Sequence, residues 1–266
     1  WLFGVVRVIG IDSLAAMNPW FILLLLTVGL VAGVINTLAG GGSNLTLPAL
    51  MVMGLPADVA NATNRVGVLL QSLTGVRDFD RHGQLPRADL WSVLRPTLMG
   101  SVFGAIAAAY MPVAYLKPIL LFAMVSMALI ILVRPAVIAP PLGTPVKQLK
   151  DCPEAFWGLF AAGIYGGFVQ AGVGFVLIGA LAGTLRYDLV KTNALKMLCT
   201  AALTVAALAV FIWQDLVAWL PGLILGLGSI LGAKVGVRLA LKASQRSLKW
   251  FLFVMTVVAS GFAMVS

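Results

Sequence analysis

Long apolar runs separated by short charged connections dominate the pattern of hydrophobic and polar positions along this chain. Most runs are long enough to cross about 30 Å of hydrocarbon at about 1.5 Å per helical residue. A further helix is predicted between Asp58 and Arg77, where Arg65 interrupts an otherwise apolar stretch. The pattern therefore predicts an all-α polytopic membrane protein. The runs that lack Asp, Glu, Lys and Arg are residues 13–57, 96–116, 118–133, 155–185, 197–214, 216–233 and 250–266.

The chain contains two similar halves, because landmarks in its first half recur in the same order in its second half. Any single landmark is weak, since small residues at GxxxG-type spacing are common in membrane helices. Several in one register are hard to obtain by chance. The matching pairs are 33–36 with 167–170, 40–42 with 172–174, 63–64 with 192–193, 100–105 with 228–233, and 116–117 with 248–249. We therefore predict repeat 1 at residues 19–134, a loop linker at 135–153, repeat 2 at 154–266, and a surface or interfacial segment at 1–18.

The distribution of Lys and Arg residues indicates that the two repeats have opposite orientations in the membrane. If every apolar run crosses once, the basic residues divide almost equally between the two faces, against the positive-inside rule. If each glycine-broken run enters the bilayer, breaks and returns, only Arg7 and Lys117 of the basic residues outside the spans lie on the second face. We thus predict two inverted-topology repeats, each with a Gly-broken re-entrant or discontinuous helix pair followed by three transmembrane helices. The basic loops, predicted to be cytoplasmic, are residues 77–95, 134–150, 186–191 and 238–249.

The two glycine-rich breaks predict an internal cavity that attracts anions. Backbone groups without helical partners cost several kcal/mol each inside a bilayer, so a break is tolerated only beside protein or a watery cavity. Half-helices expected to begin near Leu45 and Phe175 would direct free N–H groups and positive dipole ends into that cavity. A tightly packed kink without a ligand is the structural alternative. The candidate residues at the breaks are Gly40, Gly41, Gly42, Ser43, Asn44, Gly172, Gly174 and Phe175.

Amide side chains near the breaks are further candidates for binding. Asn36 and Gln170 come just before the two breaks, where an amide can bind a substrate oxygen or bridge the unwound backbone. Asn64 and Gln71 are seven residues apart on the following predicted helix and therefore share one of its faces. Hydrogen bonding between helices is the alternative role for these residues.

Arg65 and Lys196 are predicted to lie deep in the membrane, and Lys234 is a third candidate, with snorkelling to the basic face near Arg238 as its alternative. Counted from predicted helix caps at Asp58 and Asp188, each reaches roughly 10–12 Å into the bilayer, from opposite faces. A charge near the bilayer centre costs about 2.5–3.5 kcal/mol, and no carboxylate is predicted at comparable depth. We interpret both cations as contacts for an anionic solute, with Asn193 on the same face as Lys196. Snorkelling to headgroups, or pairing with backbone carbonyls, is the alternative.

Composition and the remaining chemistry exclude several classes of protein. The chain is 61% hydrophobic and 10% charged with a mean hydropathy of +1.04, unlike a soluble domain. The net charge of +9 comes without a basic block containing aromatics, so nucleic acid is not predicted as a partner. Cys152 and Cys199 form no metal-binding motif, and we predict no metal and no cofactor. Without a buried acid or histidine, proton coupling has no support, whereas a sodium site of neutral oxygens stays open.

The sequence resembles the sulfite exporter TauE/SafE family of membrane transporters, also grouped as the toluene-sulfonate uptake permease family. The residues that carry the resemblance are 33–48 with their triple glycine, 62–65, the basic loop 77–87, 167–175 and 192–196. The resemblance implies movement of small sulfur-containing anions, such as sulfite or organosulfonates, across a bacterial inner membrane. The second break is sparser in glycine than the first, so the two halves need not participate equally.

These observations predict a secondary transporter, not an enzyme, that moves small anions by alternating access around a midplane site. Its partners would be the anion and the lipid bilayer, with the coupling ion, sodium or proton, and a homodimer left open. A passive anion channel is the main alternative, which saturation and counterflow of the flux would distinguish. An intramembrane enzyme lacks a nucleophile and base, and a non-transporting sensor or scaffold predicts no anion-dependent rise in melting temperature.

Overall fold

The computed structural model of the protein describes residues 18–112 and 144–244, together with residues 114, 115, 118, 119, 122 and 247. This part of the chain is all-helical, which confirms the predicted class, and it contains eight α-helices and no β-strand. The helices are α1 (Pro19–Leu38), α2 (Ser43–Val52), α3 (Ala57–Arg81), α4 (Leu90–Tyr110), α5 (Pro153–Phe168), α6 (Val173–Ile178), α7 (Leu189–Trp213) and α8 (Trp219–Lys242). A π-helical segment, Gly179–Thr184, continues α6, and short 3-10 helices precede α4 and α5.

Four helices among the described residues are long and apolar enough to cross a membrane, namely α1, α4 with its preceding turn, α7 and α8. Helix α3 has 25 residues but is more polar than these four. Helices α2 and α6, the latter with its π-helical continuation, are shorter apolar segments. The third crossing predicted for each repeat, at 118–133 and 250–266, falls almost entirely outside the described residues, as does the segment 1–17.

Capping residues and prolines determine where several helices begin. The Asn18 side chain accepts a hydrogen bond from the first turn of α1, and Pro19 occupies the first helical position. The predicted cap Asp188 is confirmed, since its carboxylate accepts hydrogen bonds from two backbone N–H groups of α7. The cap predicted at Asp58 is wrong by two residues, because Pro56 is the N-cap of α3 and Asp58 lies in the first turn.

Glycine residues allow α1 and α8 to approach each other closely. Gly29 lies against Leu225 and Ser229, and Gly33 lies against Ser229 and Ala233. A Cβ atom on Gly33 would be 2.6 Å from the Ser229 carbonyl oxygen. Residue numbers increase together along both helices, so α1 and α8 run parallel.

Helices α4 and α5 also approach each other closely at glycine residues, as α1 and α8 do. Gly163 lies against Thr97 and Ser101, and Gly167 lies against Ser101 and Ala105. These two helices are therefore also parallel, with backbone approaching backbone. In both contacts, the first long helix of one predicted repeat packs against the last described helix of the other repeat.

Helices α3 and α7 pack against each other in the middle of the bundle. They are antiparallel, because Thr63 near the start of α3 hydrogen-bonds to Ala218 just beyond α7, and Gly75 near the end of α3 contacts Met197 near the start of α7. Helix α8 packs on α3, and α4 packs on α7. The two broken helix pairs thus meet a central pair that carries Arg65 and Lys196.

Candidate functional site

The two glycine-rich breaks lie against each other. Gly40, between α1 and α2, and Gly174, at the start of α6, are in backbone contact, and a Cβ atom on either would overlap the other. The half-helices begin two residues earlier than the predicted Leu45 and Phe175. The reason is that turns with Asn44 N donating to Gly41 O at 3.1 Å, and Val173 N donating to Gln170 O at 3.1 Å, already start the helices.

Left-handed backbone conformations shape both breaks. Gly40 has a φ of 96° and Gly172 a φ of 77°, in the region that glycine adopts without a steric penalty. Gln170 has a φ of 66°, which is strained for a residue with a side chain. Its side-chain Nε2 donates to Thr204 Oγ1 of α7 at 2.9 Å, whereas its buried Oε1 has no partner within residues 18–112 and 144–244. This bond to α7 helps to hold the strained residue in place.

Backbone N–H groups at both breaks have no hydrogen-bond partner within the described part of the chain. These unpaired donors carry the partial positive charge of a helix start. Beside them at α2, the side-chain oxygen of Asn44, an acceptor, is buried without a partner among the described residues, and Gly41 lies against the Phe175 ring. The unpaired donors are the N–H groups of Gly41, Gly42, Ser43, Ala171, Gly172 and Gly174.

A network of buried side chains connects α2 and α1 to α3. Thr46 Oγ1 donates to Asn64 Oδ1 at 2.6 Å, and Asn64 Nδ2 donates to Ser43 Oγ at 3.2 Å. Asn36 Nδ2 donates to Gln71 Oε1 at 3.2 Å. Asn64 and Gln71 therefore form hydrogen bonds between helices, which was the alternative to a binding role. Thr46 was not identified from the sequence, because a threonine in an apolar helix carries no distinctive signal.

Arg65 binds the carbonyl end of α5. Its guanidinium donates to the carbonyl oxygens of Gly166, of Gly167 at 2.8 Å and of Phe168 at 3.3 Å. Its carbon Cζ lies 5.4 Å from the centre of the Phe211 ring of α7, which provides a cation–π contact. The side chain is completely buried, and its Nε has no partner in the described part of the chain.

Lys196 has the corresponding position at the carbonyl end of α1. Its Nζ donates to Thr37 O at 2.8 Å and to Asn193 Oδ1 at 2.7 Å. Neither Lys196 nor Arg65 forms an ion pair with a carboxylate among the described residues. Pairing with backbone carbonyls, which was the alternative to anion contact, is therefore present for both cations. Each cation comes from one half of the chain and binds a helix end of the other half.

The helix dipoles at the breaks are compensated at their carbonyl ends but not at the helix starts. A cation at the carbonyl end of a helix compensates the negative end of its dipole. Arg65 and Lys196 compensate α5 and α1 in this way, whereas the unpaired N–H groups at the starts of α2 and α6 remain uncompensated. The contribution of α6 is smaller, because it has only six α-helical residues before its π-helical continuation.

Comparison with known proteins identifies the family. Residues 25–264 match the family described as "Sulfite exporter TauE/SafE". The protein belongs to this family. The resemblance seen in the sequence is therefore confirmed, and the TauE/SafE match covers both breaks and both buried cations. No solved structure shows a significant match to the chain.

Several curated relatives of this TauE/SafE protein align over nearly the full length. "Probable membrane transporter protein YfcA" of Escherichia coli (strain K12) is 29% identical over 252 residues, covering 94% of this chain and 92% of the relative. "Probable membrane transporter protein" of Haemophilus influenzae is 28% identical, covering 93% of each chain. "Probable membrane transporter protein ORF9" of Sinorhizobium sp. is 29% identical, covering 85% and 86%.

Proposed function

We propose that this TauE/SafE protein is a multi-pass membrane transporter that moves small anions of the sulfite or organosulfonate type. Family membership and the names of the relatives support transport. The apolar helices support a place in the membrane, which we propose is the bacterial inner membrane, with the basic loops in the cytoplasm. The anion itself is argued from the charges of the site.

One observation carries the proposal of an anionic substrate. The carbonyl ends of α1 and α5 are bound by Lys196 and Arg65, while backbone donors at the starts of α2 and α6 are unpaired. A negative solute at the paired breaks would accept hydrogen bonds from these donors and gain from the uncompensated helix dipoles. The same backbone donors and helix dipoles would repel a cation.

We further propose that the two halves are inverted repeats. Helix α3 runs parallel to α8, as α1 does, because Gly222 of α8 contacts Val66 and Gly226 contacts Leu70. Helix α2 would then return toward the side on which α1 begins, which supports a re-entrant pair. The reciprocal packing of α1 on α8 and α5 on α4 supports a two-fold relation between the halves. Alternating access would then be a movement of one half against the other around the paired breaks.

Burial of the candidate residues favours a gated transporter over an open channel. Asn36 is 7% exposed, and Arg65, Gln170 and Lys196 are buried at least as deeply. A continuously open anion pathway would expose such side chains to water. We therefore propose that this structure corresponds to an occluded conformation, with the polar residues of both breaks forming the binding site.

The first experiment measures the melting temperature of the purified protein with sulfite, thiosulfate, sulfonates, sulfate and carboxylates. A ligand at one hundred times its Kd stabilises the folded state by about 2.7 kcal/mol. We expect at least one small anion to raise the melting temperature, and its flux into proteoliposomes to saturate and to show counterflow. If no anion stabilises the protein or crosses the vesicle membrane, the proposal fails.

The Lys196→Met variant tests the role of the buried cation. We expect it to remain folded in detergent but to lose anion binding and flux, because the α1 dipole is no longer compensated. Lys234→Met is the matched control, since Lys234 is also on a membrane helix but its side chain is exposed. Full flux through Lys196→Met would reject the role of Lys196.

A further inference from the structure

Two side chains of α3 each have one buried polar atom without a hydrogen-bond partner among the residues that the structure describes. Asn61 Oδ1 is an unpaired acceptor and Arg65 Nε is an unpaired donor. Both side chains are completely buried. Leaving a buried polar atom unpaired costs free energy, and native proteins rarely do so without a function.

The two unpaired atoms belong to one small region at the carbonyl end of α5. Asn61 Nδ2 donates to Phe168 O at 2.9 Å, and an Arg65 terminal nitrogen donates to the same oxygen at 3.3 Å. Each unpaired atom is only two covalent bonds from the nitrogen that makes this shared contact. Asn61 and Arg65 are also four residues apart on one helix, and therefore lie on the same face.

The bond to Phe168 also determines the orientation of the Asn61 amide. A backbone carbonyl only accepts hydrogen bonds, so the nitrogen of the amide must face Phe168 and the oxygen must face the unpaired position. The region therefore offers one acceptor and one charged donor. A ligand group that pairs with both atoms must donate one hydrogen bond, to Asn61 Oδ1, and accept another, from Arg65 Nε.

We propose that Asn61 and Arg65 form a subsite for anions that carry a hydrogen-bond donor, such as a hydroxyl group or a protonated oxygen. This inference rests on the proposed anion transport and deepens it. A negatively charged oxygen of the anion accepts a hydrogen bond from Arg65 Nε–H, and the hydroxyl group of the anion donates a hydrogen bond to Asn61 Oδ1. An anion with acceptor atoms only leaves Asn61 Oδ1 unpaired and binds more weakly.

The test compares two monoanions that differ by one group, 2-hydroxyethanesulfonate and 1-propanesulfonate, in which a methyl group replaces the hydroxyl. Their Kd values are measured by titration of the full-length protein in detergent. We expect the hydroxylated anion to bind about tenfold more tightly, the effect of one satisfied buried acceptor. In Asn61→Leu the preference disappears, because leucine has no acceptor for the hydroxyl group.

Ser229→Ala is the matched control, because Ser229 is a buried polar residue that hydrogen-bonds within its own helix, to Leu225 O. It is expected to keep the preference of the wild type. Equal affinities of the two sulfonates in the wild type would overturn the inference, and would mean that a water molecule forms the hydrogen bonds with Asn61 Oδ1 and Arg65 Nε. A preference that survives in Asn61→Leu would overturn it as well.

The wild-type comparison decides the inference even if Asn61→Leu does not fold. It also separates the two proposals. Binding of both sulfonates with equal affinity rejects the Asn61 subsite but leaves anion transport standing. Absence of binding or flux for these and all other small anions rejects the proposed transport function itself.

Discussion

The substitution Gly100→Ala tests whether α4 and α5 are held together by direct backbone contact. A Cβ atom at this position would overlap the Phe160 carbonyl oxygen and lie 2.8 Å from Ile164 N and 3.1 Å from Gly163 Cα. All three are backbone atoms, so the methyl group fits only if the helices separate. Overpacking of this kind costs about 1–3 kcal/mol, and the better helix propensity of alanine returns about 1 kcal/mol.

The expected net loss is therefore about 2 kcal/mol, from the upper end of the overpacking range, given the overlap with backbone. For a chain of this size, each kcal/mol corresponds to about 2–4 °C, so the melting temperature should fall by about 4–8 °C. The measurement is thermal unfolding in detergent, followed by tryptophan fluorescence.

Two further glycine substitutions provide a second test position and a control. Gly228→Ala should destabilise to a similar extent, because its Cβ would overlap Leu26 O and lie 3.0 Å from Leu30 N in the corresponding contact between α1 and α8. Gly179→Ala is the control, since nothing lies within 4 Å of its Cβ position. Wild-type melting of Gly100→Ala, or an equal loss in Gly179→Ala, would refute the reasoning.

Three other predictions concern the site and the loops. Thr46→Val should lower the free energy of unfolding by about 1–3 kcal/mol and should weaken anion-dependent stabilisation. The reason is that Asn64 Oδ1 loses the hydrogen-bond donor at 2.6 Å that connects α2 to α3. Thermal shift with and without the anion measures both effects. Burial and the hydrogen bond to Asp89 raise the pKa of Tyr187. Its stabilisation is therefore complete below about pH 10 and is lost as the pH rises through the folded-state value, so melting curves of Tyr187→Phe should depend less on pH above 10 than those of the wild type. A membrane-impermeant maleimide should label half-buried Cys152 and should not label fully buried Cys199. In the proposed topology, the reagent labels Cys152 only from the cytoplasmic face of vesicles, and labelling from the opposite face would contradict that topology.

Much of the fold and part of the site could be predicted from the sequence, because the relevant signals are local. Charge-free apolar runs identify membrane helices, Asp188 marks a helix start, and the glycine triplet at 40–42 marks a break. Each signal depends on residues within one or two helical turns. The half-helices start two residues earlier than predicted, because the first turn at each break depends on a left-handed residue that no local pattern specifies.

The partners of the buried cations could not be predicted in this way. Depth in the membrane and the lack of nearby carboxylates indicated only that Arg65 and Lys196 needed compensation. The carbonyl groups that bind Arg65 are about one hundred residues away in the chain, and those that bind Lys196 still further. Asn61 was missed for the same reason, because an asparagine four residues before an arginine has meaning only beside the end of α5.

The sequence by itself determined the class of the protein, its family and the positions of its breaks, because hydropathy, glycine content and caps act over short distances. The tertiary structure decided that each half binds the helix ends of the other and that the breaks meet at Gly40 and Gly174. These features depend on which helices become neighbours. Glycine faces permit close approach but do not specify the partner, which is selected only when the whole bundle packs.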